Sequence, residues 1–331
     1  MLLALLWSVY LIYPTLTNAD QIYFVSQRGI DTVESDGVSN HWRSIGYALS
    51  RLPETGGVII QAASGNYPNI SITQRFKKPV IIRTAEIHSA IISAASGHGA
   101  VLLNGVKNVI FDGFVIDNRS NPSASNALHI LGGCSDITVR NCIITHGNSG
   151  YRNADAVKIN RDAHHILLEE NIIHSSMDEL VELNERVHDI ILRRNILFQT
   201  KTDKQKPIMA IQDYAWNITL DGNLFVNKST KNDNCAIRLG RSAAMARDVN
   251  DITIINNTFA LAPTQFVLDL MSGDNIRCTN NVASGHIIST QQNASDKVYQ
   301  VDNLTSVSNI MQLIDKEFPL TQDFLSSPLM R

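Results

Sequence analysis

A short phrase recurs seven times between residues 108 and 281, and its spacing constrains the chain more than any single residue does. Each copy opens on a polar residue followed by an apolar alternation: Asn108-Val109, Asp136-Ile137, His165-Ile166, Asp189-Ile190, Asn217-Ile218, Asp251-Ile252 and Asn275-Ile276. The intervals are 28, 29, 24, 28, 34 and 24 residues. Units of this length cannot bury an apolar face alone and must stack on their neighbours, so the period predicts a solenoid.

Six residues after each opening stand Phe114, Cys142, Asn171, Asn195, Asn223, Asn257 and Asn281. Five asparagines in register predict an internal ladder, each side-chain amide donating to the next rung and accepting from it while the backbone turns tightly. That role is structural.

Between the copies lies a second set of short strands, including Leu128-His129-Ile130, Val157-Lys158-Ile159, Val181-Glu182-Leu183 and Ile237-Arg238-Leu239. Side chains alternate across a strand, so the flanking apolar residues point inward and the central one outward. One outer column then reads Leu102, His129, Lys158, Glu182, Ala210, Arg238, Asp269. Two residues on, a second reads Asn104, Leu131, Asn160, Asn184, Gln212, Gly240. A groove with alternating charges and amides suits an extended acidic polymer.

Asp155 precedes the strand of Lys158, and Asp178, Glu179 and Glu182 follow it by 23, 24 and 27 residues, about one coil. Stacking brings these carboxylates together, an arrangement that is costly unless a cation neutralises it. Oxygen-only donors favour a hard ion, most simply Ca²⁺.

The ends are expected to differ from the middle. Residues 1–19 have the apolar run and small-residue end of a secretory leader. That predicts export to the outside of the cell, or to a periplasm. Residues 20–57 read as a leading strand followed by a capping helix carrying Trp42, Ile45, Leu49 and Leu52 after a Ser39/Asn40 N-cap. The solenoid is expected over 58–305, with 306–331 packed on its far end.

Seven Asn-X-Ser/Thr triplets (Asn69, Asn118, Asn217, Asn227, Asn256, Asn293, Asn303) are potential glycosylation acceptors. Cys134, Cys142, Cys235 and Cys278 permit two disulfides but have no metal-site spacing. No apolar run after the leader spans a bilayer, and a net charge of −3 lacks the basic surplus of nucleic-acid proteins. A monomer acting on an acidic polysaccharide is the expectation.

These residues resemble the pectate lyase superfamily. Asp155-Ala156-Val157 is similar to the Asp-Ala-Ile/Val segment of the family-1 pectate lyases, and Asp178-Glu179-Leu180-Val181-Glu182-Leu183 to their Asp-Gly-Leu-Ile/Val-Asp-Ile/Val segment. The resemblance implies an all-β, single-stranded right-handed parallel β-helix. It also implies that Asp155, Asp178 and Glu182, with Glu179 as accessory, hold Ca²⁺ beside a uronate carboxylate.

Asp203-Lys204 resembles the family's Asp-Lys step, with Lys201 and Lys206 as substitutes for the lysine. Arg238-Leu239-Gly240-Arg241 resembles the region that supplies its catalytic arginine, without the family's proline. The stretch His164-His165-Ile166-Leu167-Leu168-Glu169-Glu170 stands where the family has Trp-Ile-Asp-His. Family-9 lyases offer a second match through Asp155-Ala-Val-Lys158 and an acidic cluster one coil later, with a lysine as base.

The resemblance thus implies a lyase using Arg238, Lys204 or Lys158 in catalysis, with Arg241, His129, Asn160, Asn184 and Gln212 against the substrate. Two other classes stay open: a β-helical glycoside hydrolase, and a non-catalytic glycan-binding or adhesin solenoid.

Overall fold

A computed structural model describes residues 21–94, 97–121, 126–146, 154–175, 178–199, 206–227, 235–241, 248–262, 265–284, 286–290 and 298–303. The leader over 1–19, the tail over 306–331, Lys201, Lys204 and Asn293 lie outside them.

Each coil contributes one strand to each of three parallel sheets. Among the described residues an eleven-stranded sheet runs from Gln21–Val25 to Val298–Val301, and two nine-stranded sheets accompany it. A parallel β-helix results, its interior packed with valine, isoleucine, leucine and phenylalanine from every coil. Gln21–Val25 pairs in parallel register with Val58–Ala62, so the first sheet starts at Gln21 rather than at residue 58.

The opening polar residue of every phrase has a left-handed backbone. Asn108, Asp136, His165, Asp189, Asn217, Asp251 and Asn275 all lie between φ 51° and 59°. Pairing skips these positions, as where Ser135 pairs with Lys107 and Ile137 with Val109 while Asp136 pairs with neither. Left-handed backbone costs an ordinary residue roughly 1–2 kcal/mol, and asparagine and aspartate tolerate it best. Replacing exposed Asn217 by valine is therefore expected to cost about 1–2 kcal/mol, whereas glycine stays within about 0.5 kcal/mol of wild type. Urea denaturation midpoints of the two variants check this.

Six residues on, the asparagine ladder forms inside the solenoid. The Nδ2 groups of Asn171, Asn195, Asn223 and Asn257 each donate to Oδ1 of the next rung at 3.0–3.1 Å, and each asparagine also donates to a backbone carbonyl of the preceding coil. Asn303 continues the ladder one rung past Asn281, through Asn281 Nδ2 to Asn303 Oδ1 at 3.0 Å.

The helix spans Ile45–Arg51 and buries Ile45, Ala48 and Leu49 over the first coil. Its N-cap is Ser44, whose hydroxyl accepts from Tyr47 N–H, and not Ser39 or Asn40. The start is displaced because Trp42 is tied in extended backbone to Val25 and Phe24, while Asp31 Oδ1 accepts from the N–H groups of Arg43 and Ser44. Asp36 meanwhile caps the turn through Ser39 and Asn40.

All four cysteines are free and buried. Burial pushes the thiols of Cys142, Cys235 and Cys278 up to about 12, which leaves them unreactive. Two triplet asparagines, Asn118 and Asn227, are buried and closed to glycosylation in the folded chain.

Candidate functional site

The outer column falls in the expected register. Leu102, His129, Lys158, Glu182, Ala210, Arg238 and Asp269 are successive pairing partners across one nine-stranded sheet. Rungs are about 4.8 Å apart, so Lys158 and Glu182 are immediate neighbours and Ala210 separates Glu182 from Arg238.

Glu182 is the hub of the upper half. Its Oε2 accepts from Lys158 Nζ, and its Oε1 from Gln212 Nε2 at 2.6 Å and Asn184 Nδ2 at 3.0 Å. Asn160 Oδ1 lies 3.0 Å from His129 Nε2. Burial and the neighbouring Lys158 charge hold the His129 imidazole below its usual range, although Asn160 opposes the shift, so the ring is neutral at physiological pH. Both amide and charged columns thus meet on one face.

Behind them, three buried carboxyl groups converge. Asp155, Asp178 and Glu179 each offer an oxygen within 4.8 Å of the others. Asp155 is fully buried, and neither of its oxygens has a hydrogen bond among the described residues. Its nearest cation is Lys158 Nζ at 3.6 Å. Burial and the adjacent Glu182 charge hold the Asp155 carboxyl well above the usual range. Burial and the hydrogen-bonded Asp178 bring Glu179 to about 7.

The residues Asp155, Asp178 and Glu179 fit a hard cation: all donors are oxygen, the group is shielded from water, and one carboxylate is unsatisfied. Glu182 is directed at Lys158, Asn184 and Gln212 instead of completing this set. Asp178 and Glu179 sit in the turn before the strand, whereas Glu182 sits on the strand's outward face.

Lys206 reaches back one coil to the cluster, with Nζ 2.8 Å from Asp178 Oδ1 and 3.0 Å from Glu179 Oε1. The sequence supports Lys206 only as a substitute for Lys204; the coil period, 28 residues after Asp178, is the signal that places it here. Burial pulls both Lys158 and Lys206 down, but the surrounding carboxylates outweigh it and hold both above the ordinary lysine range.

Arg238 stands apart from this group. Its Nε donates to Asp269 Oδ2 at 3.1 Å, one rung further along. Arg241 is mostly exposed, pairs with Asp213 at 2.6 Å, and fixes its own N–H on Asp248 Oδ2. Sequence reasoning missed Gln199, whose buried side chain donates to the Asp178 carbonyl at 3.0 Å. It belongs to a different sheet, and no periodic feature marks it.

A family model described as right-handed beta helix region matches residues 70–259. Among solved structures, an alginate lyase from Paenibacillus sp. superposes with a TM-score of 0.50 at 14% identity, covering 78% of this chain and 95% of that one. Carrot pectin methylesterase gives 0.50 at 12%, covering 88% and 85%. Pectin methylesterase from Erwinia chrysanthemi gives 0.50 at 8%, covering 94% and 98%. No match to a curated protein sequence was found. At these identities the likeness is one of fold.

Proposed function

The chain belongs to the right-handed β-helix family, and on that scaffold we propose an exported polysaccharide lyase that cleaves a uronate-containing polymer by cation-assisted β-elimination. The observation that carries the proposal is the fully buried Asp155 carboxylate, without a hydrogen bond and facing Asp178 and Glu179. A buried carboxylate that accepts no hydrogen bond is expensive even with the Lys158 ammonium 3.6 Å away, and a cation shared with an acidic substrate gives it a purpose.

In the reaction a base removes the C5 proton of a uronate, a C4–C5 double bond forms, and the C4–O bond breaks to release the neighbouring sugar as an alcohol. Negative charge develops beside the substrate carboxylate, where fixed positive charge lowers the barrier. Asp155, Asp178 and Glu179 would hold Ca²⁺, which supplies that stabilisation when bound. Lys158 stays charged between Asp155 and Glu182 and suits neutralisation better than proton abstraction. Arg238 is the first candidate for base, as the resemblance implies, and Lys204 the second. Asn160, Asn184, Gln212, His129 and Arg241 line the approach.

The acidic residues are poorly arranged for glycoside hydrolysis. That reaction needs two carboxyl groups about 5–9.5 Å apart across the bond, whereas one oxygen from each member of the cluster lies within 4.8 Å of the others and Lys206 bridges two of its members. The acidic-polymer enzymes that share the fold make uronans the substrates to test first.

The test incubates the chain with polygalacturonate, alginate and glycosaminoglycans, with and without Ca²⁺, and follows the absorbance of unsaturated uronate. We expect Ca²⁺-dependent product, lowered at least about 100-fold in Arg238→Ala. Reducing ends without unsaturation, or retention of glycan without product, would overturn the proposal in favour of a hydrolase or a binding module.

A further inference from the structure

A second surface, on the eleven-stranded sheet, carries a stack of rings that stops short. His164, His188 and Trp216 are successive partners on the outer face of that sheet. The two imidazoles stack at 4.9 Å with an interplanar angle of 9°, and His188 stacks on the indole at 4.2 Å and 12°. These spacings match the strand repeat, so the rings lie across the solenoid axis like coins in a roll.

The next two places in the column are Asn250 and Asp274, which have no ring. The second face of the indole therefore has no ring partner among the described residues. It bounds a depression of about 660 Å³, whose remaining lining includes Tyr214, Asp251, Asn275 and Arg186. Trp216 is 37% exposed and Tyr214 54%.

Tyr214 adds a second sign of selection for a ligand. At this left-handed turn, neighbouring coils have Asp162 and Arg186, but here a tyrosine is held at φ 66° with its N–H bonded to Asp248 Oδ1. A bulky aromatic suits that backbone poorly, yet it places a phenol at the rim of the depression.

We infer that this depression is a saccharide-binding site, separate from the carboxylate cluster, that takes an uncharged pyranose unit in the open place of the ring stack. The weakly positive C–H face of a sugar ring complements the negative face of an indole. Around it, Asp251 and Asp274 each accept one hydrogen bond from Asn275 and keep further lone pairs for hydroxyl groups, and the phenol of Tyr214 offers a donor.

The charge balance excludes a uronate. Arg186 is the only cation in the lining, and it is already bidentate to Asp162 at 2.8 Å, against two carboxylates. Quaternary ammonium ligands are typically recognised by cages of several aromatic rings, and one indole face is offered here. The function is retention on a neutral portion of a glycan.

Binding is read from intrinsic fluorescence, because Trp42 is 3% exposed and Trp216 is the indole at the surface among the described residues. Titrations use neutral β-1,4-linked galactose, xylose and mannose tetrasaccharides, with tri-galacturonate and tetramethylammonium as charged probes. At least one neutral tetrasaccharide should bind saturably at millimolar concentration. Trp216→Ala should weaken it at least about tenfold in calorimetry. Asn250→Trp, which fills the open place while keeping Trp216, should do the same without lowering the melting temperature. Saturation by no neutral sugar, tighter binding of a charged probe, or full affinity in Asn250→Trp would overturn the inference.

Discussion

In cation-free buffer at pH 8, Asp155→Asn is expected to melt above the wild type. Asp155 is buried without a hydrogen bond, with Asp178 and Glu179 close by. Its ionised form is disfavoured first by burial and then by the Glu182 charge, so its folded pKa is raised. A raised carboxyl contributes full stability below its unfolded pKa, and loses it as pH rises through the folded value. Glu179 acts with the same sign between its ordinary 4.5 and about 7.

Wild-type stability should therefore fall between pH 4.5 and 8, and the asparagine variant should fall less. The difference should widen steadily towards pH 8, because the variant has no carboxyl at this position to ionise, while Lys158 keeps Glu182 as its partner. Lys158 and Lys206 have raised values and titrate only under alkaline conditions, so they leave this window undisturbed. Thermal melts with a chelator, at intervals between pH 4.5 and 8, check the prediction. The variant should also lose the proposed lyase activity, so stability and activity move in opposite directions.

Asn223→Ala should be strongly destabilising, as should the same change at Asn195 or Asn257, which make the same four bonds. Asn223 Oδ1 accepts from both Asn195 N and Asn195 Nδ2, at 2.9 and 3.0 Å. Its Nδ2 donates to the Leu192 carbonyl at 2.9 Å and to Asn257 Oδ1 at 3.0 Å. Truncation leaves two donors and a carbonyl unpaired where water cannot reach, at a cost of about 3–5 kcal/mol.

Asn223→Asp should not rescue it, because it restores the acceptor but removes the donor and buries a charge. At the half-buried end of the same ladder, Asn303→Ala should cost no more than about 1 kcal/mol, since solvent replaces the lost bonds. Urea midpoints of the three variants give the comparison. Midpoints are preferable to extrapolated free energies because a solenoid need not unfold in one step.

The ladder and the outer column were legible in the sequence for the same reason. Both depend on a repeat of about one coil and on the alternation of strand side chains, and both survive variation in loop length. The interval of 34 residues between Asn217 and Asp251 shifts neither Arg238 nor Asn257 out of register.

Other features depend on the path of a turn, which no period records. Glu182 and Glu179 both stand near Asp155, but Glu182 on the outward face binds Lys158, while Glu179 in the preceding turn brings an oxygen close to Asp155 and Asp178. The helix N-cap falls five residues after Ser39 because distant Asp31 and Val25 organise the segment before it. The stack ending at Trp216 was hidden because His164, His188 and Trp216 stand one residue before the polar positions that marked the phrase in the sequence. The left-handed backbone of those positions turns out to be why they are polar.

The most direct test of the account is a calorimetric titration of the purified chain with Ca²⁺, run beside Asp155→Asn. One Ca²⁺ per wild-type chain, lost in the variant, is the predicted result. No binding to the wild type, or equal binding to the variant, would contradict the assignment of Asp155, Asp178 and Glu179 as a cation site.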